Sequence, residues 1–338
     1  MRPFSQGPPT AAFQGYPGRA WLQYRARVLV ECQQLSKTFG RHRAVSDLSF
    51  TLNDGVVTGF LGPNGSGKST TMRMMLGLDH GDGRTLYNGQ QLQEHARPAR
   101  VVGAHLDAKF FHPKRTARNH LRMLAAASGV DERRVDEVLD LVGLAEVARK
   151  QPRGFSLGMG QRLGLAGAIL ASPSVLLLDE PANGLDPQSI SWLRDFIAHY
   201  AGEGRVVLVS SHLLSEMQLL AKHLIVIGRG RLIADESLEE FVARSTRNDV
   251  FVRTPNSDAL IAALAERGVA AVREGLGISV PGADTEMVGA VAFACQAELH
   301  ELTRRTASLE EAFLEVTSQT QEYSMGGHDD APAEGADR

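Results

Sequence analysis

Two hydrophobic rhythms run along the chain and divide it. From Val28 to about Thr246, short β-branched runs alternate with stretches of helical period. "VLVECQQL" and "AVSDLSFTL" alternate apolar with polar positions, as antiparallel strands with one solvated face do. "VVTGFLG", "SVLLLDE" and "RVVLVSSH" are almost continuously apolar, the pattern of strands covered on both faces. With helices between them they predict a parallel sheet with strands at 56–61, 175–179 and 205–210. After about Asn248 the order becomes strand "VFVRT", helix "SDALIAALAERG", strand "AAVREG", strand "GISVP", helix "DTEMVGAVAFACQAE", strand "HELTRR", helix "SLEEAFLEV". That βαββαβ order with an extra helix predicts a small α+β ferredoxin-like module.

The expected organisation is therefore an unpacked extension over 1–27, an α/β domain over 28–246, a small module over 247–318 and a polar, Gly-rich tail over 319–338. The extension lacks the continuous apolar core of a secretory signal. At 338 residues the chain is long enough for both folded parts. A net charge of −3 gives no global bias toward an acidic partner, and no nucleic acid partner is expected. Only Cys32 and Cys295 are present, which excludes a disulfide framework and suits a reducing compartment. No apolar run approaches the roughly 20 residues that span a bilayer, so any membrane role needs another chain.

Chemistry enters at "GPNGSGKST", which satisfies G-x-x-x-x-G-K-[ST] directly after an apolar strand: Gly62, Pro63, Asn64, Gly65, Ser66, Gly67, Lys68, Ser69 and Thr70. Gly65 and Gly67 let the backbone wrap an anion with its N–H groups, and a helix beginning near Lys68 adds its positive end. Lys68 then reaches the β/γ-phosphates, and the Ser69 hydroxyl ligates Mg²⁺. A P-loop leaves kinases, GTPases and motor ATPases open. "VLLLDEP" narrows the choice: Asp179 ends a buried strand where it holds Mg²⁺ through water, and Glu180 beside it is placed to polarise an attacking water.

About 20 residues before that acidic strand, "FSLGMGQRLG" opens a helix that stops near Pro173. Here the chain resembles the ATP-binding cassette (ABC) ATPases, whose signature L-S-G-G-Q precedes such a helix. Ser156 and Gly158 match it, while Leu157 and Met159 replace a glycine and the glutamine. The S-L-G-M variant is similar to that of the daunorubicin- and bacitracin-resistance exporters. The resemblance covers about residues 28–246 closely and the C-terminal module more weakly.

The resemblance implies further roles. Phe39 takes the place of the aromatic that stacks on adenine, "ANGLDP" is the D-loop with Asp186 as its carboxylate, and His212 in "SSHL" is the switch histidine that senses the γ-phosphate. The signature, Ser156, Leu157, Gly158 and Met159, acts in trans on the nucleotide of a second copy packed head to tail. "VVGAHLDAKFFHP" sits where the family ends a strand with its Q-loop, and counting from Val102 and Gly103 puts Asp107 at the glutamine, as a further Mg²⁺ contact. A solvated loop aspartate is the alternative for that position.

The implied fold is an ABC cassette: a parallel core sheet, an antiparallel β subdomain and a helical subdomain. The implied function is an ATP-binding and ATP-hydrolysing subunit of an exporter of a drug, peptide or lipid. It works with separate membrane-spanning permease subunits at the cytoplasmic face of the membrane. A soluble ABC ATPase acting on ribosomes or DNA is the alternative; tandem cassettes or zinc-binding cysteine pairs would favour it, and this chain has neither.

Overall fold

The computed structural model describes residues 28–107, 111–112, 114–244, 249–305 and 307–316; the expected extension over 1–27 and the tail over 319–338 lie outside the described residues. The chain divides into two compact units, the first ending at Glu236 and the second beginning at Ser237.

In the first unit the chain runs β1 (Leu29–Phe39), β2 (His42–Asn53), β3 (Val57–Leu61), α1 (Lys68–Met75), β4 (Asp82–Tyr87), α2 (Pro98–Val101) and β5 (Val102–His105). It continues through α3 (Ala117–Ser128), α4 (Arg133–Leu141), α5 (Leu157–Ile169), β6 (Val175–Asp179), α6 (Pro187–Gly202), β7 (Val206–Ser210), α7 (Leu214–Leu220), β8 (His223–Gly228) and β9 (Arg231–Ser237). The alternating strands β1, β2 and β4 form an antiparallel sheet of order β2-β1-β4, whose inward positions Val30, Leu48, Phe50 and Leu52 are buried. The continuous apolar strands lie in a six-stranded sheet of order β5-β6-β7-β3-β8-β9, in which β5 through β8 pair in parallel.

One core joins the two sheets through α1. Phe60, Met72, Leu177, Leu208 and Ile225 pack with the inward face of β1 and β2. Each such fully buried side chain contributes roughly 1.5–3 kcal/mol. Helices α3 and α4, which the apolar periodicity did not separate, lie between β5 and β6 in the chain and pack against each other and against α5. Helix α4 buries Val135, Val138 and Leu139 along one stripe, and Thr116 caps α3 by accepting from the Asn119 N–H.

Strand order positions the chemistry. Neighbours β6, β7 and β3 run parallel, so the segments leaving their carboxyl ends converge at one edge of the sheet, where α/β folds bind ligands. Those segments are the P-loop after β3, Asp179 and Glu180 at the end of β6, and His212 after β7.

The second unit contains α8 (Leu238–Ala243), β10 (Asp249–Arg253), α9 (Ser257–Ala265), β11 (Val272–Glu274), β12 (Gly277–Pro281), α10 (Thr285–Ala294), β13 (Glu301–Arg305) and a helical segment over 309–316. Its sheet is antiparallel throughout, with order β11-β12-β10-β13, the split arrangement that two interleaved βαβ halves produce. The period of two in β10 sends Val250 and Val252 into a cluster with Leu260, Leu264, Ile278 and Val288, while Phe251 lies on the other face under the Arg305 guanidinium at 3.7 Å. Among the described residues no helix is long and apolar enough to cross a membrane.

Candidate active site

The P-loop is built by a glycine that no other residue replaces cheaply. Gly67 caps α1 with φ 106° and ψ 4°, a left-handed conformation, and a Cβ there would run into the Ala44 carbonyl oxygen. Having no side chain, it offers no cap to the helix start, so the first N–H groups of α1 are left for an outside acceptor. Gly62, Ser66, Gly67 and Lys68 are buried, whereas Pro63, Asn64, Gly65 and Ser69 are exposed and Thr70 half-buried. The Lys68 ammonium donates to the carbonyls of Gly62 at 2.6 Å and Pro63 at 3.3 Å, folding back over the loop. Burial holds its pKa below the ordinary lysine value, an effect that the Glu180 and Asp179 carboxylates partly offset. The buried Ser66 hydroxyl has no hydrogen-bond partner. A helix start without a cap, a buried ammonium and an orphaned hydroxyl are a donor set that fits a polyphosphate.

The acidic pair is fixed from the neighbouring strand. Asp179 and Ser210 face each other across the β6–β7 register, and the Ser210 hydroxyl donates to Asp179 Oδ1. The Glu180 N–H donates to the same Ser210 Oγ at 3.0 Å and to the Ser210 carbonyl at 3.2 Å. Glu180 sits at φ 49°, a region that non-glycine residues rarely occupy and that is found at functional sites. Its Oε2 accepts from His212 Nδ1 at 2.6 Å and from the His212 backbone N–H at 3.4 Å. Ser210 is fully buried and was missed by sequence reasoning; its signal was only its place at the end of an apolar strand, and strand order gave that place meaning.

Asp107 is exposed, two residues beyond β5. It lines a cavity of about 820 Å³ together with Ser69, Asp179 and Glu180. These are hard oxygen donors of the kind Mg²⁺ takes. The sequence-predicted Asp107, Ser69, Asp179 and Glu180 are thus brought to one space from the segments that follow β5, β3 and β6.

The remaining predicted residues lie apart from that space or at its rim. Phe39 ends β1 half-exposed, with the Lys37 ammonium 4.9 Å over its ring. Ser156 is the N-cap of α5 and accepts from the Met159 N–H at 3.2 Å; Leu157, Gly158 and Met159 form the first helical turn, so the stretch is helix and needs no glycine flexibility. Leu157, which also borders the cavity, lies against Gly184 of the D-loop. Asp186 caps α6, accepting from the Ser189 N–H at 2.8 Å and its hydroxyl at 3.1 Å; these bonds, the backbone one foremost, hold its carboxyl below the usual carboxylate range. Sequence reasoning also missed His105 and Gln161, both buried, where the ring Nε2–H donates to Gln161 Oε1. Burial lowers the His105 pKa, so the ring is neutral near pH 7.

Comparison with known proteins agrees with this arrangement. The family pattern described as "ABC transporter" matches residues 45–183, and one described as "Domain of unknown function (DUF8746)" matches residues 248–310. The chain is 36% identical over 311 residues, 88% of its own length and 98% of the relative's, to the "Uncharacterized ABC transporter ATP-binding protein YhcH" of Bacillus subtilis (strain 168). It is 35% identical to the "Bacitracin transport ATP-binding protein BcrA" of Bacillus licheniformis, over 69% of this chain and 78% of that one. A solved structure, "Structure of ATP binding subunit of ABC transporter", superposes with a TM-score of 0.59 at 27% identity, covering 64% of this chain and 92% of that one. P-loop, acidic strand and whole-length similarity lead to one family, and the chain belongs to the ATP-binding, ATP-hydrolysing subunits of ABC transporters.

Proposed function

We propose that the P-loop holds the ATP phosphates through Lys68 and the N–H groups at the start of α1, with Phe39 against the adenine. Ser69, Asp179 and Asp107 would hold Mg²⁺, which neutralises phosphate charge when bound. Glu180 takes the proton of the attacking water as that oxygen bonds to the γ-phosphorus and the bond to the leaving β-phosphate oxygen breaks. His212 orients the Glu180 carboxylate and senses the γ-phosphate. The single observation that carries this reading is the shared placement of Ser69, Asp107, Asp179 and Glu180 around one cavity beside the P-loop.

Ser156 and the start of α5 serve the nucleotide of a second copy in a head-to-tail dimer, and Asp186 stiffens the D-loop between the two sites. ATP closes the dimer and hydrolysis reopens it, driving separate permease subunits at the cytoplasmic face of the membrane. The segment after Asp107, residues 108–121, contacts the permease; residues 108–110 and 113 of it lie outside the described residues. Relatives named for bacitracin, lantibiotic and linearmycin transport or resistance support export of an amphiphilic drug, peptide or lipid.

The test is Glu180→Gln: ATP binding is retained, steady-state hydrolysis falls by about 10²–10⁴-fold, and an ATP-bound dimer accumulates in size-exclusion chromatography. Normal turnover would exclude Glu180 as the base. For the Mg²⁺ role, Asp107→Ala lowers permease-stimulated hydrolysis more than nucleotide affinity, and Asp107→Gln lowers it less.

A further inference from the structure

One buried polar pair has no part in that mechanism. His105 is 4% exposed at the end of β5, Gln161 is 8% exposed in α5, and the ring Nε2–H donates to Gln161 Oε1. The ring occupies the space that Gly164, one helical turn on, leaves open; a Cβ at 164 would collide with it. Two polar groups taken from water cost more than an apolar pair of the same size, and even when bonded to each other they return little net stability. Packing alone therefore does not account for them.

Their location does. On one side the pair borders the 820 Å³ cavity that Asp107, Asp179 and Glu180 share. On the other it borders a void of about 10 Å³ against Pro181 and Leu185, at the start of α6 and the D-loop. Asp107 follows His105 by two residues, and Gln161 follows Ser156 by five in the same helix. A directional hydrogen bond fixes how α5 is rotated and slid along β5, which interchangeable apolar contacts do not.

We infer that His105 and Gln161 are a positioning pair: their bond makes Asp107, facing the nucleotide of this chain, and Ser156, facing that of a second copy, move as one body. Neither residue touches a reactant. The inference rests on the roles given above to Asp107 and Ser156, and it adds the part that links them.

The decisive variant is His105→Leu/Gln161→Leu in the full-length chain. It removes the bond without leaving either partner unpaired in the core, which is the substitution a buried hydrogen bond tolerates best. The thermal midpoint stays near that of the wild type and KM for ATP is unchanged, while kcat falls roughly 10- to 100-fold through misplacement of the two half-sites. A folded double variant with wild-type kcat, or a loss that merely follows the folded fraction, overturns the proposal. Should the double variant not fold, His105→Gln, which keeps a donor, is compared with His105→Met, which fills the space without one; equal kcat in these two also overturns it. Alanine variants of Asp107 and Ser156 separate the two levels. Normal turnover in those removes the underlying reading and this inference with it, whereas impaired turnover in those and normal turnover in the double variant removes this inference alone.

Discussion

Helices α1 and α5 begin in opposite ways. The N-cap of α1 is Gly67, which has nothing to offer the helix, and the orphan N–H groups face a loop that holds a buried ammonium. The N-cap of α5 is Ser156, whose hydroxyl already accepts from the Met159 N–H. The first arrangement stores unmet hydrogen bonds and is relieved by a resident anion; the second is satisfied on its own and can meet an anion by turning one hydroxyl. On the proposed function, the helix start that keeps its ligand is left uncapped, and the one that would meet its ligand only when two chains close caps itself in the interval.

The largest effect expected from this contrast is at α1. Lys68→Ala removes a charge-assisted donor worth about 1.5–3 kcal/mol and so weakens ATP binding by roughly 10- to 100-fold, read by isothermal titration calorimetry. Wild-type affinity in that variant would mean the folded-back ammonium plays no part in holding phosphate.

At α5 the effect is smaller and of a different kind. Ser156→Ala removes a cap, costing about 1 kcal/mol in urea unfolding, and leaves the ATP affinity of the single chain unchanged while turnover falls. If ATP affinity falls along with turnover, the two helix starts do not serve different nucleotides.

Asp186 sharpens the comparison from a third helix start, since it too caps itself and so should act on stability before chemistry. Asp186→Ala costs about 1 kcal/mol at neutral pH. Because its folded pKa lies below the unfolded one, the carboxylate's contribution is fully present above the unfolded value of about 3.9 and is lost as pH falls through the folded value. Wild type and Asp186→Asn therefore converge in urea midpoint under acid. A gap of the same size at every pH would show that the charge of Asp186 contributes nothing.

Much of the site was legible because its motifs are local. Gly62 to Thr70 needs only an apolar strand before it and a helix after it, and the structure supplies both as β3 and α1. Asp179 ends β6 as its apolar run foretold. The signature stretch reads as the opening of a helix, and Leu157 to Met159 are its first turn, because Ser156 makes the boundary and the residues after it only have to continue the turn. The helical subdomain was implied by the resemblance, but apolar periodicity alone does not separate α3 from α4: α3 has a side-chain cap in Thr116, whereas α4 has none to mark its start.

By itself the sequence determined the phosphate loop, the acidic pair and the alternation of strands and helices, since each depends on neighbours within a few residues. Only the tertiary structure decided that Ser210 holds both Asp179 and Glu180, that His212 bonds Glu180, and that His105 meets Gln161 across β5 and α5. Those contacts join residues 30 to 56 positions apart. Which of them meet is set by the order β5-β6-β7-β3 and by how closely Gly164 lets a helix approach a strand, and no local pattern of apolar and polar residues encodes either.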